Sequence, residues 1–153
     1  LRAAVRDGTP LGQEAERSMN RGALVPDDVI IGIVQERLTH ADTQKGFILD
    51  GFPRTVVQAE ALSRLAQGGG KGIEHVISIE VPEDELLQRL ISRRGIEGRH
   101  DDTDEAIRHR LEVYRQETEP LITYYRQSGL LRSIAGVGTM EEVLQRVLAV
   151  LKA

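Results

Sequence analysis

Three short apolar runs set the limits on how this chain can fold: "GFILD" at 46–50, "HVISIEV" at 75–81 and "LLRSI" at 130–134. The first is short and continuously apolar, the character of a strand covered on both faces, and the other two, broken by Ser78 and by Arg132-Ser133, read as a second and a third strand. Between them lie stretches long enough for whole helices, and strands joined through whole helices pair in parallel. The expected class is α/β, with helices layered over a parallel sheet.

The intervening stretches carry their own start signals. Thr9-Pro10 places a capping residue before a proline at the first helical position, opening a helix expected to fade at Asn20 to Gly22. Pro26-Asp27-Asp28 opens the next, with Val29, Ile30, Ile33, Val34 and Leu38 on one face. Thr55 with Gln58, Asp102 with Glu105, and Thr139 with Glu142 each have the spacing of a capping box at the head of a helix. Pro82 is expected to start a helix through Arg94, and Thr118-Glu119-Pro120 to restart or kink the one before it.

Composition narrows the function. With 153 residues, 40% hydrophobic and 29% charged, the chain has the material for one domain with a real core. A net charge of -4 gives no general attraction for nucleic acid or an anionic membrane, so anions must be met by locally placed bases. Those bases are 17 arginines against 3 lysines, and the planar guanidinium fork suits bidentate phosphate contacts. There is no cysteine, which excludes disulfides and thiolate metal sites and fits a cytoplasmic protein. No apolar stretch approaches the roughly 20 residues of a membrane helix. The first residues, "LRAAVRDGTP", read as the middle of a helix running into a turn, so the natural chain is expected to begin earlier.

The segment after the first apolar run concentrates the chemistry. Ligands of parallel α/β sheets sit beyond the carboxyl ends of the strands, which is where Asp50 to Arg54 emerges. An aspartate there can hold Mg2+ through water, Gly51 lets backbone approach a ligand, Pro53 stiffens the turn, and Arg54 can clamp a phosphate. The same residues also read as a solvated turn with an ordinary ion pair. Gln58 has a structural role open to it as the third helical residue of the box begun by Thr55.

The order and spacing of "DGFPRTVVQAEAL" at 50–62 resemble the signature of the adenylate kinase family. The resemblance extends to "LRAAVRDGTPLG" at the start, to "RGALVPDDVI" at 21–30, which looks like that family's AMP-binding flap, and onward through most of the chain. It implies a three-layer fold of the P-loop NTPase kind, with a parallel sheet, a helical AMP flap at 8–38 and a short lid at 94–102 inserted in one domain over 1–153. It implies that Arg2, Ala23, Leu24, Val25, Gly51, Phe52, Pro53, Arg54 and Gln58 form the AMP site, with Arg2 and Arg54 on the phosphate and Gln58 on the adenine. Asp50 would support a metal ion through water. Many relatives have lysine where this chain has Ala23; contacts made by backbone survive that difference. A plain reading makes residues 23–25 a loop anchor as well.

Arginine is dense in "LLQRLISRRGIEGRHDDTDEAIRHRL" at 86–111. Arg89 and Arg93 stand four apart, a like-charge spacing that costs an isolated helix about 0.2–0.5 kcal/mol unless something neutralises it. Glu85, four residues before Arg89, can do so as an exposed ion pair. Arg110 interrupts an apolar stripe of Ile107, Leu111 and Tyr114; it can snorkel, or it can meet an anion at the core's edge. The resemblance makes Arg54, Arg89, Arg93, Arg99 and Arg110 catalytic, the last four flanking the lid and surrounding the transferring phosphoryl group and the ATP phosphates, with Asp101 and Asp102 orienting the lid arginines. It further implies an ATP site of Arg89, Arg93 and the loop Gly136, Val137 and Gly138, where Ala135 replaces an acid common in relatives. His100 and His109 lack a second ligand at metal spacing and are assigned to solvent.

The resemblance therefore implies reversible transfer from ATP to AMP, giving two ADP, with Mg2+ as cofactor; a cytoplasmic monomer is expected, since no broad exposed apolar stripe is apparent. One departure matters. The glycine-rich loop ending in Gly-Lys-Thr, which cradles ATP phosphates, does not occur in these 153 residues. In relatives it precedes the segment matching Leu1 by roughly thirty residues, together with a central strand, as one βα unit. The chain as given is expected to lack that unit and, alone, neither to fold stably nor to catalyse. Two other readings stand beside the first: a UMP or CMP kinase, in which asparagine often takes the place of Thr55, and a non-catalytic AMP-binding module.

Overall fold

The computed structural model describes residues 1–20, 25–68, 72–97 and 104–152; the side chains of Arg2, residues 18–20, 93–97, 104–106 and Arg110 lie outside that description. The chain divides into two units, Leu1–Gly72 and Ile73–Ala153.

In the first unit, α1 (Arg2–Arg6) turns at Asp7-Gly8 into α2 (Pro10–Asn20). Thr9 caps α2 as expected, its Oγ1 accepting from the Gly12 N–H at 3.0 Å. Gly12 sits where a Cβ would come within 2.1 Å of the Ala4 carbonyl oxygen, so the close approach of α1 and α2 depends on the missing side chain. The next helix, α3 (Asp27–Leu38), packs beside α2, and a Cβ on its Gly32 would meet Leu11 Cδ1 at 2.9 Å. A 3₁₀ turn at Ala41–Lys45 follows, tied to the end of α3 by the Arg37–Asp42 fork at 2.8 and 2.5 Å. Then α4 (Val56–Gly68) buries Ala59, Ala61, Leu62 and Ala66. Full burial of a leucine such as Leu62 stabilises by about 1.5–3 kcal/mol.

The run 46–50 departs from expectation. It has no strand partner among the described residues, and Ile48 is 92% exposed, so it is not a strand covered on both faces. An apolar sequence favours an extended backbone, but a strand also requires a neighbour to complete its hydrogen bonds. The two strands that form among the described residues pair with one another.

These are β1 (Val76–Glu80) and β2 (Leu131–Ala135) of the second unit, parallel and in register from Val76 opposite Leu131 to Glu80 opposite Ala135. The crossover between them is helical: α5 (Glu83–Glu97), α6 (Asp104–Val113), a π-helical turn at Tyr114–Thr118, and α7 (Pro120–Gln127). Pro120 has no N–H to donate, and just before it the Glu119 N–H reaches back five residues to the Tyr114 carbonyl at 2.9 Å. The expected kink is thus a widened turn. The apolar stripe of α6 holds for Ile107, 3% exposed, and fades at Tyr114, 47% exposed. Helix α5 continues to Glu97, three residues past the expected end and into the span assigned to the lid. Finally α8 (Met140–Leu151) packs on β2, closing a core of Ile107, Leu121, Tyr125 and Ile134.

Candidate functional site

The turn between residues 50 and 58 is built from its own side chains. Gly51 has φ +69, a left-handed conformation that residues with a Cβ rarely adopt, and its carbonyl accepts from Arg54 Nε at 2.9 Å. The Phe52–Pro53 peptide is cis. Thr55 Oγ1 accepts from the Gln58 N–H at 3.2 Å, which is the forward half of the expected capping box. The return half goes elsewhere: Gln58 Oε1 accepts from the Arg54 N–H at 2.7 Å, one residue before the cap. Asp50 and Arg54 are exposed, whereas Gln58 is 3% exposed.

A buried amide left unsatisfied costs about 1–3 kcal/mol, so the partners of Gln58 matter. The second is Asp27, at the first residue of α3. Its Oδ1 accepts from Gln58 Nε2 at 2.6 Å and its Oδ2 from Thr55 Oγ1 at 3.1 Å. Sequence reasoning gave Asp27 only the role of an acid at a helix start; no local pattern links it to a residue 31 positions away. Val25, the one described member of the expected trio 23–25, is half-buried just before α3. Ala23 and Leu24 lie outside the described residues.

In the second unit, Arg89 pairs with Glu85 across one helical turn at the surface, as the ion-pair reading expected. Arg93 lies on α5 and Arg110 on α6, their side chains outside the description. Arg99, His100, Asp101 and Asp102 lie outside the described residues altogether, and the box expected from Asp102 falls with them. His109 is exposed.

The loop 135–138 after β2 is held from two directions. Arg146 Nη1 donates to the Ala135 and Val137 carbonyls at 2.8 and 2.6 Å, and the Gly136 N–H donates to the Glu80 carbonyl at 2.7 Å. A Cβ on Gly136 would meet Ile79 Cγ2 at 2.6 Å, so the loop lies flat against the strand end. Arg146 is the second residue that sequence reasoning missed. Among the described residues no three His, Asp or Glu side chains gather into a metal-holding group, and no helix is long and apolar enough to cross a membrane.

Comparison with known proteins adds an independent line. The family model described as adenylate kinase matches residues 1–130. An adenylate kinase of Citrifermentans bemidjiense is 48% identical over 180 aligned positions, covering 100% of this chain and 84% of that protein. One from Leptospira biflexa is 49% identical over 148 positions, covering 97% of this chain and 80% of that protein. One from Thermus thermophilus is 48% identical, covering 99% and 78%.

Proposed function

The chain belongs to the adenylate kinase family, and we propose that it is a phosphotransferase moving the terminal phosphoryl group of ATP onto AMP, reversibly, to leave two ADP. Its parallel strand pair with helical crossovers accords with the α/β fold of that family. The observation that carries the AMP side is the turn at 51–58. There the residue proposed to clamp the AMP phosphate, Arg54, has its backbone held at 2.7 Å by the side chain of the residue proposed to read the base, Gln58. Clamp and reader are fixed to one another before any ligand arrives.

Phosphoryl transfer asks the protein mainly for positioning and for fixed positive charge. Arg2 and Arg54 supply it to the AMP phosphate; Arg89, Arg93, Arg99 and Arg110 supply it around the transferring group and the ATP phosphates. Arg89 must exchange Glu85 for phosphate, a small loss because exposed ion pairs contribute about 0–1 kcal/mol. Residues 23–25 and 51–53 wall the AMP side, and residues 136–138 meet the ATP base with a backbone stiffened by Arg146.

Mg2+ fits Asp50 as an outer partner. One exposed carboxylate does not make a dedicated cage, but Mg2+ keeps several waters and takes other ligands from substrate phosphates, so a single carboxylate reached through water suffices. Held there with ATP, Mg2+ would supply neutralisation of charge on the phosphates. The short lid at 94–102 is part of the same proposal. Cytoplasmic location and a monomeric state complete the proposal. A coupled assay on the full-length protein with AMP, CMP and UMP tests it: AMP is expected to be the preferred acceptor, and preference for CMP or UMP transfers the assignment to the pyrimidine kinases.

A further inference from the structure

The base-reading residue is itself held by a lock that works in both directions. Gln58 has a planar amide with a carbonyl acceptor on one side and an NH2 donor on the other, and turning it over exchanges the two. A backbone N–H can only donate, so the Arg54 N–H at 2.7 Å fixes where the carbonyl oxygen must be. An ionised carboxylate can only accept, so Asp27 Oδ1 at 2.6 Å fixes where the NH2 must be. Thr55 completes the arrangement. Its hydroxyl donates to Asp27 Oδ2 at 3.1 Å while its oxygen accepts from the Gln58 N–H at 3.2 Å, so the carboxylate is held as firmly as the amide it holds.

Gln58 is 3% exposed, so little room is left for its side chain to swing, and an inverted amide would set donor against donor and acceptor against acceptor. One N–H and one lone pair of the amide remain uncommitted to these partners. A base edge can use both only if it offers an acceptor next to a donor in the matching order. A 6-aminopurine does so, with N1 accepting and the 6-amino group donating. A 6-oxopurine presents the reverse, N1–H donating and O6 accepting, and would require the inverted amide.

We infer that Asp27 is a positioning residue that fixes the Gln58 amide in one orientation and thereby selects 6-amino over 6-oxo purine monophosphates. The inference rests on the proposed role of Gln58 as the base reader. Asp27 acts through Gln58 and touches neither phosphate nor the reacting atoms.

The test compares kcat/KM for AMP and for IMP, at fixed ATP, in the full-length protein and in its Asp27→Ala, Asp27→Asn and Gln58→Leu variants. Each preference is a ratio taken on one preparation, so a loss of correctly folded material cancels. Asp27→Ala is expected to lower the preference for AMP by about tenfold to a hundredfold, the discrimination a bidentate amide contact supplies, through a raised KM for AMP with kcat largely kept. Asp27→Asn, nearly the same shape but able to donate or accept, is expected to lower it by less and remains informative if the alanine variant does not fold. If Gln58→Leu removes the preference while both Asp27 variants keep it, Asp27 does not position the reader and the inference is overturned. If Gln58→Leu keeps the preference, Gln58 does not read the base, and the reading beneath the inference fails instead.

Discussion

Two helices of this protein begin with the same local device, and they use it differently. Helix α8 starts at Thr139, whose Oγ1 accepts from the Glu142 N–H at 3.2 Å while Glu142 Oε2 accepts from the Thr139 N–H at 2.7 Å. The box closes on itself at the surface. Helix α4 starts at Thr55 with Gln58 in the equivalent place, but there the return bond goes to Arg54 and the spare donor goes to Asp27 on another helix. A glutamate that completes a box costs little in solvent and would be expensive to bury; a glutamine is neutral and can be buried once each of its groups has a partner. Replacing the acid with the amide lets a terminal device become part of the core while remaining able to hydrogen-bond.

Three substitutions, in falling order of effect, would break or sharpen that contrast. Gln58→Leu strands the Arg54 N–H and one oxygen of Asp27, so urea unfolding should show a loss of about 1–3 kcal/mol. A loss no larger than that of an ordinary surface substitution would mean the α4 box is as peripheral as the α8 box. Thr139→Ala should cost about 1 kcal/mol, the usual worth of a threonine cap, and leave the KM for AMP unchanged. A raised KM for AMP in that variant would show that the two ends are not functionally separate.

Glu142→Gln should act mainly through pH. Hydrogen bonds from Thr139, chiefly from its backbone N–H, hold the Glu142 carboxyl below the ordinary glutamate value of 4.5. A carboxyl with a lowered folded-state pKa contributes stability that is fully present above its unfolded value and is lost as pH falls through the folded one. Melts between neutral pH and pH 3 should therefore fall less steeply in the glutamine variant below about pH 4.5. Parallel curves for the two proteins would remove the carboxylate from the account of α8. No comparable acid limb is expected from Gln58, which does not titrate.

What was legible in the sequence divides along similar lines. Threonine three residues before an acid or amide announced the starts of α4 and α8, and short apolar runs announced β1 and β2, because these signals act through neighbours in the chain. The run 46–50 carried a stronger apolar signal than β1, yet a strand is a property of two segments, and this one has no strand partner among the described residues. Pro120 announced a disturbance, though not that the chain would absorb it as a π-helical turn. Asp27 and Arg146 were invisible as partners. A carboxylate at a helix start and an arginine within a helix are ordinary in a sequence, and only folding shows that one locks Gln58 and the other braces the loop after β2.

The central claim is that the buried start of α4, with Asp27 behind it, is the adenine-selective side of a monophosphate kinase. A double-mutant cycle on the preference for AMP over IMP tests it most directly, since two residues acting through one amide cannot have independent effects. With Gln58 already leucine, Asp27→Ala is predicted to change that preference by less than about twofold. If the two substitutions instead multiply their effects, Asp27 and Gln58 act separately, and the account of the site is contradicted.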